Sequence, residues 1–310
     1  MSPPLVVILG ATASGKTALS LRMAEAFSGE IISCDSICVY RGLEIGAAKP
    51  LHDERARVPH HLIDIASPDT AYNAGDYCRD GRAALHSIAG SNHLPIVVGG
   101  TGLYLRALID GLFSGPPRSE ALRDKLRERG ESRGSAYLHR LLTRLDPESA
   151  NAIHTNDTPK IVRALEICIT ARQPLSAAWS AGRDPLQGFR ILRLGLDPPR
   201  AELYARINDR AAAMFERGLI QETESLLAQY GPQCRPLASL GYKQAAAHLR
   251  GELPLDTAIH ATQQGHRNYA KRQATWFRRE PDVHWLPGFG DAPQIESAAL
   301  ALVQSSIEAK

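Results

Sequence analysis

A parallel α/β sheet of the phosphate-loop NTPase type, flanked by helices, is the fold class the sequence predicts. An inserted all-helical subdomain and a helical C-terminal region complete the expectation. Three observations predict it. A phosphate-binding motif stands between an apolar run and a helix-forming run. Short apolar segments then alternate with helical ones as far as residue 109. Composition turns polar and helical after Gly115-Pro116-Pro117. Alternation of strand and helix implies parallel pairing with helical crossovers.

The first strand is Leu5-Val6-Val7-Ile8-Leu9, apolar throughout, as a strand covered on both faces should be. Gly10-Ala11-Thr12-Ala13-Ser14-Gly15-Lys16-Thr17 follows and fits G-x-x-x-x-G-K-[ST]. Its glycines let backbone N–H groups curl around an anion, Lys16 adds a point charge, and the Thr17 hydroxyl is offered to Mg²⁺. A helix over 17–27 brings its positive dipole end to the same place. Glu30-Ile31-Ile32-Ser33 is the second strand, ending at Asp35-Ser36, and His61 to Ile65 reads as a third. Ala74 to Ile88 is a helix. Pro95 to Gly100 is a buried strand ending in glycines, and Thr101 precedes a helix over 103–109. Ligands of such sheets bind at the carboxyl ends of the strands, so the turns at Gly10, Asp35-Ser36 and Gly99-Gly100-Thr101 should converge on one crevice.

The insert, expected at 119–188, interrupts a core of 1–118 plus 189–310. Between 118 and 144 it carries eight cations against four anions. Asn156-Asp157-Thr158-Pro159 caps a helix from Lys160, with Pro159 near its first turn. Ile191 to Leu196 restores a strand, and helices over 201–217, 219–230, 241–249 and 255–279 are expected to the end.

The chain has 310 residues, 44% of them hydrophobic, a net charge of +3 and five scattered cysteines. It can bury a sizeable core and has no need of disulfide staples, which points to a reduced, cytoplasmic setting. No apolar run reaches membrane length, so no membrane partner is expected. A monomer is the expectation. Cys34, Cys38, His60 and His61 match no zinc spacing.

Read from position alone, Asp35 is a general base, an outer Mg²⁺ ligand or a turn cap. Thr101 is a helix N-cap that can also meet an anion. Arg206 and Arg210 share a helix face and either reach an anionic substrate or lie in water. Residues 267–280 hold five cations against Glu280, interleaved with Tyr269, Trp276 and Phe277. A phosphate-backbone contact is favoured there over a solvated face.

These segments together resemble the tRNA dimethylallyltransferase (tRNA isopentenyltransferase) family. The resemblance spans nearly the whole chain: Gly10 to Thr17; Ser33-Cys34-Asp35-Ser36 with Val39-Tyr40; Ile45-Gly46-Ala47-Ala48-Lys49-Pro50; His60 to Asp64; and Gly99-Gly100-Thr101-Gly102-Leu103-Tyr104. It continues through Asn156-Asp157, Arg163 to Glu166, Arg200 through Gly218-Leu219, Gly241-Tyr242-Lys243, and Lys271-Arg272-Gln273 with Thr275-Trp276-Phe277-Arg278. Cys34, Ile37-Cys38 and Asn268 depart from the commoner residues.

The resemblance implies transfer of a dimethylallyl group from its diphosphate to the exocyclic N6 amine of the adenosine beside the anticodon. Lys16, Thr17 and Mg²⁺ would then stabilise the leaving diphosphate, Asp35 would take the amine proton, Thr101 would meet the reacting region and Arg206 would neutralise the diphosphate. It also implies that Asp35, Ser36, Ile37 and Cys38 surround the target base. Arg123, the segment Pro159-Lys160-Ile161-Val162-Arg163, and Lys271, Arg272, Gln273 and Arg278 would contact the anticodon stem-loop. A phosphate-loop kinase for a small acceptor and a non-catalytic RNA-binding NTPase are the alternatives.

Overall fold

A computed structural model describes residues 2–113, 115–116, 118–180 and 182–308; Pro117, part of the expected boundary, and Ala181 lie outside them. Residues 1–109 and 186–310 form one compact unit and Asp110–Pro185 a second.

The first unit begins with β1 (Pro4–Gly10), α1 (Lys16–Ala26), β2 (Gly29–Cys34), α2 (His52–Arg57) and β3 (His60–His61). It continues with α3 (Ala74–Gly90), β4 (Leu94–Gly99) and α4 (Gly102–Ile109). Among the described residues six strands form one parallel sheet in the order β3-β2-β4-β1-β5-β6, where β5 is Arg190–Leu196 and β6 is Val283–Leu286. The central strand β1 pairs with β4 (Val6 opposite Ile96) and with β5 (Val6 opposite Leu192). Its side chains alternate between two buried layers. Val6 and Ile8 pack with Leu19 and Met23 of α1, while Leu5, Val7 and Leu9 pack with Tyr77 and Leu85 of α3 and Leu105 of α4. The uninterrupted apolar run is thus explained by burial on both faces.

Two expectations for the sheet change. The third strand stops at His61 rather than Ile65, because Leu62 and Asp64 take left-handed backbone conformations at φ 61° and 59°, which no strand accommodates. The C-terminal region is not purely helical: β6 adds an edge strand, with Arg193 opposite Val283. It comes just after Asp282, itself at φ 52°.

The second unit contains α5 (Glu120–Arg133), α6 (Ser135–Leu145), α7 (Pro147–Ala152), α8 (Thr158–Ala171) and α9 (Leu175–Ser180). Leu126, Leu138, Leu142, Ile161, Val162 and Leu165 make its own core. Back in the first unit come α10 (Arg200–Glu216), α11 (Leu219–Tyr230), α12 (Tyr242–Leu249), α13 (Leu255–Phe277) and α14 (Pro293–Glu308). Among the described residues no helix is long and apolar enough to cross a membrane.

Candidate active site

The carboxyl ends of β1, β2 and β4 open on one cavity of about 480 Å³. Its floor is the loop from Thr12 to Thr17, where β1 hands over to α1. Gly15 sits at φ 89°, and a Cβ there would come within 2.7 Å of the Gly290 backbone nitrogen; both the turn and the close packing require glycine. Lys16 Nζ donates to the carbonyls of Gly10 at 3.0 Å and Ala11 at 2.6 Å. Burial, then the neighbouring Arg210 guanidinium, lower its pKa to about 7, with Asp35 pulling the other way. Ser14 Oγ is buried with no hydrogen-bond partner among the described residues. The loop therefore concentrates donors and positive charge, and an anion would relieve both.

A second cavity of about 360 Å³ lies against the first. Thr12, Asp35, Ala47, Ala48, Arg210 and Tyr269 line both. Asp35 follows β2, and its Oδ1 accepts the N–H groups of Ile37 at 2.8 Å and Cys38 at 3.2 Å. It is a turn cap, and at the same time its side chain stands in the shared wall. Ser36 N–H donates to Thr101 Oγ1 at 3.2 Å, and Thr101 N–H donates to the Cys34 carbonyl at 3.1 Å. These bonds lock the ends of β2 and β4 together. Opposite them, Glu222 accepts from the N–H of Ile45 at 2.8 Å and of Gly46 at 3.2 Å, and from the Tyr242 hydroxyl at 2.5 Å. This fixes the segment that leads into Ala47-Ala48.

Helix α10 contributes both arginines. Arg206 lines the first cavity but is half exposed, paired with Asp291 at 2.7 Å, its guanidinium 3.7 Å from the Phe289 ring centre. Arg210 is largely buried, donates to Thr12 Oγ1 at 3.1 Å, and faces both cavities. Burial lowers its pKa below the usual guanidinium value.

The residues expected around the base divide. Asp35, Ser36 and Ile37 line the second cavity. Cys38 is buried, with Sγ 3.7 Å from the Ala47 carbonyl, and burial pushes its thiol well up. On α13, Lys271 and Arg272 line an open groove of about 520 Å³ with Asn268, Thr275, Trp276 and Arg279. Arg278 turns elsewhere, toward Asp197 at 3.9 Å. Gln273 is buried, and its amide bonds to backbone of the first unit rather than facing the groove.

In the second unit, Arg123 and Arg163 both reach Glu166 Oε2 at 2.7 Å. Ser119 N–H also donates to that carboxylate, at 2.6 Å. Burial alone would raise Glu166, but these bonds hold it below the ordinary carboxylate value. Pro159 and Lys160 are exposed, whereas Ile161 and Val162 are core residues.

Sequence reasoning assigned no role to Ser239, Leu240, Lys243, Met214 and His266, which complete the second cavity. A signal existed for Lys243, in the Gly241-Tyr242-Lys243 segment. Among the described residues no cluster of three or more His, Cys, Asp or Glu suited to a metal ion occurs.

The family model described as IPP transferase matches residues 38–280, and one described as isopentenyl transferase matches residues 3–64. The chain belongs to the IPP transferase family. Its similarity extends end to end. A tRNA dimethylallyltransferase of Koribacter versatilis is 58% identical over 307 residues, covering 99% of this chain and all of that one. Another, of Solibacter usitatus, is 52% identical over 96% of this chain and 97% of its own. Among solved structures, the tRNA isopentenylpyrophosphate transferase of Bacillus halodurans superposes with TM-score 0.73 at 36% identity, covering 98% of this chain and 97% of that one. A eukaryotic dimethylallyltransferase acting on tRNA superposes with TM-score 0.85 at 28% identity, over 99% of this chain and 80% of its own. This IPP transferase shares the parallel sheet and flanking helices of those enzymes.

Proposed function

We propose that the protein is a tRNA dimethylallyltransferase that moves a dimethylallyl group from dimethylallyl diphosphate to the N6 amine of the adenosine beside the anticodon. The observation that carries this reading is the shared wall. Asp35 stands between a cavity built for a diphosphate and a second cavity bordered by the cationic α13.

The donor's diphosphate lies in the Thr12–Thr17 loop, held by backbone N–H groups and by Lys16, with Arg210 and Arg206 beyond. Thr17 faces the same cavity as the carboxylates of Asp35 and Asp209. Hard oxygen donors in small number suit a Mg²⁺ whose remaining ligands are phosphate and water. Thr17 would hold that ion, which supplies positive charge beside the departing diphosphate. The allylic carbon–oxygen bond breaks, diphosphate takes the electron pair, the N6–carbon bond forms, and the N6 proton passes to Asp35. Removal of that proton is worth about 10²–10⁴ in rate, because the amine's lone pair is delocalised into the ring. Lys16 and the arginines act on charge that grows as the bond breaks, so they favour the transition state over the ground state.

The adenine must leave its stack, at a cost of a few kcal/mol. The groove on α13 and the exposed cations of the helical unit 110–185 are the surfaces that offset it. We infer a monomer, and five scattered cysteines with no disulfide among the described residues suit a reduced cytoplasm. A small-acceptor kinase is not favoured, since it has no use for the groove of Lys271, Arg272 and Arg279.

The test is to mix the protein with tRNA and either prenyl-labelled dimethylallyl diphosphate or γ-labelled ATP. Prenyl label on the RNA is expected. Phosphoryl transfer from ATP to any acceptor, with no prenyl label on RNA, would overturn the reading.

A further inference from the structure

Gln273 lies on α13 between Lys271-Arg272 and Thr275, in the run where the RNA groove is built, yet it is only 5% exposed. It borders the first cavity, and its two amide atoms are both taken by backbone. Oε1 accepts the N–H of Thr12 at 2.8 Å, and Nε2 donates to the carbonyl of Gly100 at 3.0 Å. One planar group thus joins the start of the phosphate loop to the exit of β4, immediately before Thr101.

Both partners matter. Thr12 receives Arg210 on its hydroxyl at 3.1 Å, so the amide holds the residue on which the buried arginine rests. Gly100 has no left-handed backbone to demand glycine. A Cβ there would nevertheless stand 2.0 Å from Gln273 Nε2. The amide fills the notch that a side chain at position 100 would occupy. Burial of an amide without partners is costly, and here both ends are satisfied by backbone groups that come from two different strands' exits. Only a side chain with one donor and one acceptor at this spacing does both: glutamate loses the donor, and leucine loses both.

We propose that Gln273 is a positioning residue for the transfer reaction, setting the phosphate loop against the Gly100-Thr101 turn, and that it makes no contact with RNA. The proposal rests on the reaction assigned above. With the staple gone, Thr12 and Arg210 lose their fixed place relative to Asp35 and Thr101, and misplacement of a catalytic constellation by a fraction of an ångström lowers turnover.

Three full-length proteins are compared: wild type, Gln273→Leu and Gln273→Glu. The readouts are kcat and KM for prenyl transfer, the Kd for tRNA, the Kd for inorganic diphosphate, and the melting temperature. Expected for Gln273→Leu is a kcat about tenfold or more below wild type, a Kd for inorganic diphosphate raised several-fold, and a tRNA Kd within about twofold of wild type with the same salt dependence. Gln273→Glu keeps the acceptor for Thr12 and should fall between the two. Gly100→Ala, which displaces the amide, should reproduce the Gln273→Leu defect, and the two substitutions together should be less than additive.

Three outcomes overturn the proposal. One is a weakened tRNA Kd with normal kcat at saturating RNA, which would make Gln273 an RNA contact. Another is a lowered melting temperature, or failure to fold, in both variants with wild-type kcat and diphosphate Kd in whatever folded protein remains. The third is no change in any readout. If wild type moves no prenyl label, the assigned reaction fails, while the diphosphate Kd still reports on the staple by itself.

Discussion

Lys16 shows how the site is prepared at the scale of one residue. Its ammonium leans on the carbonyls of Gly10 and Ala11, and burial holds its pKa at about 7 rather than 10.5. Its folded pKa lies below its unfolded one, so between about 7 and 10.5 the unfolded chain binds more protons, and this group's contribution to stability rises with pH across that window. A bound diphosphate reverses the preference, because negative charge favours the ammonium. At pH 8 the binding of dimethylallyl diphosphate should take up close to one proton, falling toward zero at pH 6. Calorimetry in buffers of different ionisation enthalpy reads this directly. The uptake should vanish in Lys16→Met, and pH-independent proton exchange in wild type would contradict the assignment.

The arginines make a parallel case. Arg206 and Arg210 share a helix face, and spacing cannot rank them. Burial does: Arg210 touches the loop, whereas Arg206 is half exposed and already paired with Asp291. Arg210→Met should lower kcat/KM by about a hundredfold, the cost of losing a charge-assisted bond at a buried site. Arg206→Met should cost less. The reverse order, measured in steady-state kinetics, would return the leading role to Arg206.

At the scale of the element, α13 separates what periodicity reveals from what it hides. Asn268, Arg272, Thr275 and Arg279 recur at four, three and four residues, which is one helical face, and they line the groove. The face expected from the sequence was a different one, with Arg267, Lys271 and Arg278 near one side and Trp276 turned partly elsewhere; Lys271 and Trp276 line the groove, whereas Arg267 bonds Asn208. Arg278 and Gln273 were expected on RNA as members of the 271–278 run, but Arg278 turns toward Asp197 and Gln273 turns to backbone of the first unit. Its inward turn depends on two backbone groups distant in sequence, Thr12 and Gly100. No local pattern carries that information.

Helix α8 gives the complementary lesson. Its cap at Asp157 and Pro159 was readable and is present, with Asp157 Oδ1 accepting from Lys160 N at 3.3 Å. The pairing of Arg123 and Arg163 on one buried Glu166 was not, since a charge run shows no sign of its internal partner. Glu166→Ala removes the carboxylate that Arg123, Arg163 and the Ser119 N–H share, leaving Arg163 only the Pro116 carbonyl at 3.5 Å. It should cost about 3 kcal/mol, measured as a shift in the urea midpoint of the full chain. A shift within 0.5 kcal/mol would be the signature of an ordinary surface charge, in the sense of about that size for exposed substitutions.

Over the whole molecule, the sheet and its crevice follow from the apolar runs, because strands covered on both sides must be apolar throughout. What escaped was set by single backbone conformations and by edge position. Left-handed Leu62 and Asp64 cut β3 short, and β6 is a four-residue edge strand whose His284 and Trp285 are exposed. The change to a polar helical composition at Gly115 falls inside the second compact unit, which begins at Asp110. Of the site, the phosphate loop and Asp35 were legible as motif and strand end; the second cavity was not, since Met214, Ser239 and His266 reach it from three separate helical or loop segments.

The cationic surfaces predict that tRNA affinity falls steeply with salt. The slope of log K against log salt should be about −2 to −3 or steeper, given a contribution of roughly 0.7–0.9 per phosphate neutralised. A flat response would contradict an RNA surface built on Lys271, Arg272 and Arg279. The central claim is that Asp35, in the wall common to both cavities, takes the proton of the amine that attacks the prenyl carbon. The single-turnover rate of Asp35→Asn, with dimethylallyl diphosphate and tRNA both saturating, tests it most directly. A rate reduced by about 10²–10⁴ with tRNA binding intact is predicted; a rate near that of wild type would contradict it.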